Sequence, residues 1–221
     1  MKAVFTCGGT GGHINPALAV ARVLLERRPD SEILFVGAED GMEATLVSRE
    51  GFRLETLQIS SYMRSLKPSA IRHNVRAALS IRRALKKADR IIRDFQPDVI
   101  LGTGGYASYP MLHEGARLGI PTAVHESNAV PGLATKMVAD KVDRILVSFA
   151  DSRSAYRDPS RVIAVGMPVR EEFVFTRRAD ARRALGLNEK TPMIVSAWGS
   201  LGAREMDKKI AQVMKLECEQ D

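Results

Sequence analysis

Gly8-Gly9-Thr10-Gly11-Gly12-His13 stands between an apolar run, Ala3–Cys7, and a helical pattern that begins near Pro16. Strand, glycine loop and helix in that order form the opening unit of a doubly wound α/β sheet. Glycines let the backbone take positive φ and let a ligand approach it closely. The helix that follows offers unpaired N–H groups and a partial positive charge, a natural anion site. Pro16 suits the first turn of such a helix. Two further loops, Gly102-Thr103-Gly104-Gly105-Tyr106 and Gly199-Ser200-Leu201-Gly202-Ala203, occupy equivalent places. One such loop alone reads equally well as a tight turn. Three of them, at the strand ends where open parallel sheets bind ligands, point to a phosphate or pyrophosphate ligand.

Working outward, strand-like runs are predicted at Ala3–Cys7, Ile33–Val36, Leu54–Ile59, Val99–Leu101, Thr122–Val124, Ile145–Val147, Val162–Val165 and Ile194–Ala197. Helical patterns alternate with them at Pro16–Glu26, Met42–Glu50, Ser69–Phe95, Pro110–Leu118, Leu133–Ala139, Asp180–Leu185 and Arg204–Glu217. The fold class is therefore α/β, a Rossmann-like doubly wound parallel sheet covered by helices on both faces. A boundary is expected after Val165, at the turn-rich Gly166-Met167-Pro168-Val169-Arg170 and the charged Glu171–Arg183. Residues 1–165 form one domain. Residues 166–221 hold a linker and the start of a second, since one strand and one helix cannot bury a sheet on both faces.

The 221 residues carry 33 Lys+Arg against 26 Asp+Glu, a formal +7, which favours anionic partners. Aromatic residues make up 5% and are not interleaved with basic ones, so no nucleic-acid stacking platform is expected. Cys7 and Cys218 are neither a disulfide framework nor a metal site. The start reads as a strand and not a signal peptide, and the compartment as cytoplasmic. No Gly-Lys-Ser/Thr ending marks a Walker loop. The first loop departs from Gly-x-Gly-x-x-Gly spacing, although Glu39 and Asp40 follow the second strand. No Asp-x-Asp is present, which counts against metal-dependent glycosyl transfer; no metal and no cofactor are expected.

The run Gly8-Gly9-Thr10-Gly11-Gly12-His13-Ile14-Asn15-Pro16-Ala17-Leu18-Ala19 resembles the opening signature of the MurG family, the N-acetylglucosaminyltransferases of peptidoglycan synthesis. The likeness continues through Gly102–Ser108, His125-Glu126-Ser127-Asn128, Gly166–Arg170 and Gly199–Arg204, in the family's order and over nearly the whole chain. Ser127 stands where the family often has Gln, and Met167 where Asn is frequent. The resemblance implies a two-domain GT-B fold and inverting, metal-independent transfer of N-acetylglucosamine from UDP-N-acetylglucosamine to lipid I, the undecaprenyl-pyrophosphate-linked muramyl acceptor. It implies a peripheral enzyme at the cytoplasmic face of the bacterial membrane, with the acceptor on the N-terminal domain. It also implies that the chain is cut short of the segments holding uracil and ribose, and inactive alone. By matching motifs, Thr10, Gly11, Gly12, Asn128, Arg170 and Ser200 are expected to touch the donor.

Inverting transfer needs a base for the attacking hydroxyl and charge stabilisation for the departing diphosphate. His13 is the first choice of base, because imidazole titrates nearest neutral pH; Glu126 is the second. His13 as a helix cap and Glu126 as a loop anchor remain open. Ser200, its loop amides and Arg170 suit the diphosphate, the guanidinium fork donating two parallel bonds; a surface salt bridge is the alternative for Arg170. Gly104, Gly105 and Tyr106 are expected to shape the acceptor's pyrophosphate site. His125 is read as a packing or hydrogen-bonding residue, and His73 and His113 are given no chemistry.

From Arg64 to Arg93 run ten cations, Arg64, Lys67, Arg72, Arg76, Arg82, Arg83, Lys86, Lys87, Arg90 and Arg93, with Asp89 the only acid. Ile71, Val75, Leu79, Ile81, Leu85, Ile91 and Ile92 are threaded through them. A basic amphipathic helix of this kind suits an anionic membrane surface. The alternative is a crossover helix with its apolar face on the sheet and a solvated basic face; both can be partly true, and membrane contact is the favoured reading. Three rival functions stay open: a membrane-docked acceptor module with a separate donor-binding subunit, a UDP-sugar epimerase, and, last, a nicotinamide-dependent oxidoreductase.

Overall fold

The computed structural model describes residues 1–59, 68–197 and 203–218. Elements alternate as β1 (Lys2–Thr6), α1 (Gly11–Arg27), β2 (Glu32–Ala38), α2 (Glu43–Arg49), β3 (Arg53–Leu57), α3 (Pro68–Phe95), β4 (Val99–Gly102), α4 (Ser108–Arg117), β5 (Thr122–Glu126), α5 (Leu133–Val138), β6 (Arg144–Val147) and β7 (Val162–Ala164). Two short 3-10 helices, Ala150–Ala155 and Pro159–Arg161, precede β7. The strands form one seven-stranded sheet in the order β3-β2-β1-β4-β5-β6-β7, every pair parallel.

That order positions the site. The chain winds from β1 outward to β3, and α3 then carries it back across to β4 on the other side of β1. The winding reverses between β1 and β4, and a crevice opens there beyond the strand ends. The first two glycine loops follow these two strands, so the topology sets them side by side.

Side chains alternate across the sheet, as the strand period of two requires. Ala3, Phe5 and Phe35 face α1 and α2, where Ile14, Ala17, Leu18, Ala21 and Val47 are buried. Val4, Leu34, Val36, Ile100 and Val124 face the other way. There α3, α4 and α5 supply Ala84, Ala88, Ile91, Ile92, Met111, Leu112 and Val138. The described part of α3 thus packs an apolar stripe inward, while Arg82, Arg83, Lys86, Lys87, Arg90 and Arg93 are exposed. Arg64 and Lys67 lie outside the described residues, as do the side chains of Ile71, Arg72, His73, Val75, Arg76 and Leu79.

Two expectations are corrected. Helix α1 starts at Gly11 and not near Pro16, which lies inside it. A proline there removes the bond to the Gly12 carbonyl, and Gly12 is exposed, so water can take that acceptor. Residues 194–197, predicted as a strand, form none, and Ile194 and Val195 are 86% and 72% exposed. An apolar run becomes a strand only beside a partner ladder, and no described strand pairs with it.

The chain divides into two compact units, Met1–Arg170 and Glu171–Asp221. Residues 166–170 stay with the first, where the Gly166 carbonyl meets His125 and Arg170 meets Glu50. The second holds α6 (Glu171–Phe175), α7 (Arg178–Ala184) and α8 (Arg204–Cys218). In it the buried Arg182 donates to the carbonyls of Asn188 and Thr191.

Candidate active site

The first two loops touch at glycine. Gly104 and Gly105 have φ of +99° and +80°, and a Cβ on Gly105 would overlap the Gly8 carbonyl. A side chain at Gly105 would therefore drive the loops apart as well as strain the backbone. The closeness lets loop and helix lock together across 90 residues of sequence. The Thr103 hydroxyl donates to the His13 carbonyl (2.6 Å), and His13 Nδ1 lies 3.1 Å from the Thr103 carbonyl. A carbonyl can only accept, so Nδ1 carries the proton and Nε2 is left with the lone pair.

His13 lines a cleft of about 240 Å³ together with Gly104, Gly105, Tyr106, Glu126, Asn128 and Thr135. Its other wall is apolar, made by Ile59, Ile81, Tyr109, Leu133 and Met137. One end thus presents an imidazole, backbone and hydroxyl groups, and the other hydrocarbon.

Glu126, at the end of β5, is 3% exposed. Its Oε1 accepts from the backbone N–H (3.0 Å) and Nδ2 (2.7 Å) of Asn128. Its Oε2 accepts from the Gly132 N–H (2.9 Å) and the Thr135 hydroxyl (2.6 Å). Burial alone would push this carboxyl up; the four donors outweigh it and hold it below the usual carboxylate range. Both carboxylate oxygens are thus occupied by donors from its own loop. Glu126 anchors the 127–135 loop and fixes the orientation of the Asn128 amide through its Nδ2.

Beside it, His125 is 1% exposed and its Nε2 donates to the Gly166 carbonyl (3.0 Å). Burial pushes its pKa down, more than the Gly166 bond and Glu126 raise it. The folded state therefore takes up a proton less readily than the unfolded chain. Stability from this group is full above the unfolded value of about 6.5 and is lost as pH falls below it. In thermal melts at pH 7.5 and pH 5.5, the wild type should lose stability at the lower pH, and His125→Gln should lose less. An equal loss in both would show that His125 is not the titrating group.

Other expected residues fall differently. Thr10 precedes α1 in an extended conformation, and Gly11 and Gly12 make its first turn. Arg170 is not among the residues lining the cleft; its guanidinium lies 3.4 Å from Glu50, which Arg22 also contacts. The salt bridge is the arrangement the structure holds. Ser200 and its loop, Gly199 to Gly202, lie outside the described residues. Sequence reasoning missed Thr135 and the apolar wall, which no motif marks. It missed the buried Glu43 too, whose carboxylate accepts from the Gly9 N–H of the first loop, because an acid in the first turn of a helix reads as an ordinary dipole partner.

Compared with known proteins, residues 3–147 match the glycosyltransferase family 28 N-terminal domain. The chain belongs to glycosyltransferase family 28.

Among family relatives is the UDP-N-acetylglucosamine--N-acetylmuramyl-(pentapeptide) pyrophosphoryl-undecaprenol N-acetylglucosamine transferase of Acetivibrio thermocellus, 39% identical over 97% of this chain and 57% of its own. The enzyme of that name from Clostridioides difficile is 34% identical, over 97% of this chain and 52% of its own. The family 28 chain thus spans somewhat more than half the length of the curated relatives it matches. The crystal structure of Acinetobacter baumannii MurG superposes with a TM-score of 0.62 at 26% identity, covering 78% of this chain and 47% of that one. A UDP-GlcNAc 2-epimerase from Methanocaldococcus jannaschii reaches 0.56 at 12% identity, over 76% and 46%, and shares the fold.

Proposed function

We propose that this chain supplies the acceptor side of an inverting glycosyltransferase that moves N-acetylglucosamine from UDP-N-acetylglucosamine to a muramyl sugar on undecaprenyl diphosphate. The observation that carries the reading is His13, held in one tautomer by Thr103 with its basic nitrogen free, on the wall of a half-polar, half-apolar cleft. The names borne by the relatives support the substrates.

As the acceptor hydroxyl attacks the anomeric carbon, a new C–O bond forms and the bond to UDP breaks. His13 Nε2 takes the hydroxyl proton. The electron pair leaves on the diphosphate, whose charge the Ser200 hydroxyl, the amides of its loop and the Arg170 guanidinium stabilise in this reading. Thr10, Gly11 and Gly12 offer N–H groups at the start of α1, and Asn128 offers Oδ1 to a sugar hydroxyl. Gly104, Gly105 and Tyr106 take the acceptor's diphosphate, with the apolar wall beside them for the first lipid carbons. The reaction needs no metal in this reading, which the lack of an Asp-x-Asp pair supports.

Docking is peripheral, at the cytoplasmic face of the membrane. Among the described residues no helix is long and apolar enough to cross a bilayer. At the cleft, however, Leu133 and Met137 are 51% and 41% exposed beside the exposed Lys136, with Val130 (73%) close by in sequence. The basic face of α3 adds cations, each worth about 1 kcal/mol near an anionic leaflet.

The test is transfer from labelled UDP-N-acetylglucosamine to a lipid I analogue, by this chain and by one continued to the full length of its relatives. Transfer by the longer form alone is the expected result. No transfer by either folded form would overturn the reading.

A further inference from the structure

Glu43 is 0% exposed, although it opens α2 next to a surface loop. Its carboxylate lies under the first glycine loop. Oε1 accepts from the Gly9 N–H (3.1 Å) and the Ala38 N–H (3.3 Å), and Oε2 is buried with no hydrogen-bond partner. Space for the group is made by glycine: a Cβ on Gly37 would lie 2.7 Å from Glu43 Cγ, and one on Gly41 would overlap the carboxylate itself. Burying a carboxylate is costly unless it is hydrogen-bonded or paired, and here only the two amide bonds to Oε1 offset that cost. They turn the Gly9 amide inward, at φ +91°, where Tyr106 packs over it.

An inward Gly9 amide cannot serve an anion in the cleft. The loop's outward donors are then those at the start of α1, one turn before His13. Glu43 also reaches the second loop electrostatically, since its charge helps raise the Tyr106 hydroxyl after burial has done most of the work.

We infer that Glu43 is a positioning residue: by accepting the Gly9 and Ala38 amides it sets the first glycine loop in the shape that seats it against Gly104–Tyr106, the loop assigned to the acceptor's diphosphate, and presents His13 to the cleft. This rests on the function proposed above. It is a role for hydrogen-bond acceptance, which a glutamine oxygen can also fill.

The experiment is amide hydrogen exchange at Gly9 in this 221-residue chain, paired with geranyl diphosphate titration, for wild type, Glu43→Gln, Glu43→Leu and Gly41→Ala. Glu43→Gln should keep both Gly9 protection and affinity within about twofold. Glu43→Leu should lose about tenfold or more in each, the loss of a charge-assisted bond, while core amides of β1 and β2 stay protected. Gly41→Ala, which displaces the carboxylate without removing it, should behave like Glu43→Leu and carries the test if that variant does not fold. Gly9 protection unchanged in Gly41→Ala and Glu43→Leu would overturn the inference, as would a Glu43→Gln as impaired as the leucine. If wild type does not bind the diphosphate, the acceptor reading of the cleft fails, and Gly9 exchange still decides whether Glu43 holds the loop.

Discussion

Replacing His13 by alanine in a chain continued to the length of its relatives should lower kcat about a hundred- to ten-thousand-fold, the range for losing a general base. KM for the donor should change little, because the imidazole acts on the acceptor hydroxyl. The thermal midpoint should stay near wild type. His13 is only half-buried, and the Thr103 hydroxyl bonds its backbone carbonyl, which alanine keeps. The measurement is steady-state transfer to a lipid I analogue beside a melt of the same preparation. A kcat within about threefold of wild type would remove His13 as the base, since no named base effect is that small. Among the described residues of the cleft, the other carboxylate, that of Glu126, is filled by four donors.

The second large effect is on stability. Glu126→Leu should destabilise the first unit by about 3–5 kcal/mol, the cost of breaking a buried charged network while its donors remain. The Thr135 hydroxyl and the amides of Asn128 and Gly132 would all lose their acceptor. Glu126→Gln should lose less, because one oxygen remains, yet its NH2 must face two donors. The pH dependence has a definite sign. The folded carboxyl is held below its ordinary value, so its contribution is present above the unfolded value of about 4.3 and is lost as pH falls through the folded one. Urea titrations at pH 7 and pH 4 should therefore show the gap between wild type and Glu126→Gln narrowing at pH 4. A gap that stays constant would mean that the carboxylate's charge is not what holds the loop.

The sequence by itself determined the α/β class and the alternation that makes all the strands parallel. Local signals suffice for these: apolar runs of strand length, glycine loops and helical periodicity are each read within a few residues. It also gave His13 and the two loops that meet at the cleft. It misplaced the start of α1, because Pro16 is a strong local start signal and the Gly11–Gly12 turn before it is a weak one. It read 194–197 as a strand, since local pattern cannot tell whether a neighbouring ladder exists. Only the tertiary structure decided what the acids do. Glu126 and Glu43 carry the same group at a strand end and a helix start, and nothing near either in sequence says whether water or protein fills its lone pairs. Reversal of the winding between β1 and β4 set Thr103 against His13 and so fixed a tautomer. The Glu43 carboxylate under Gly9 comes from residues 34 apart. Whether an oxygen is free to take a proton depends on donors that arrive from other strands, and those are assembled only when the sheet is.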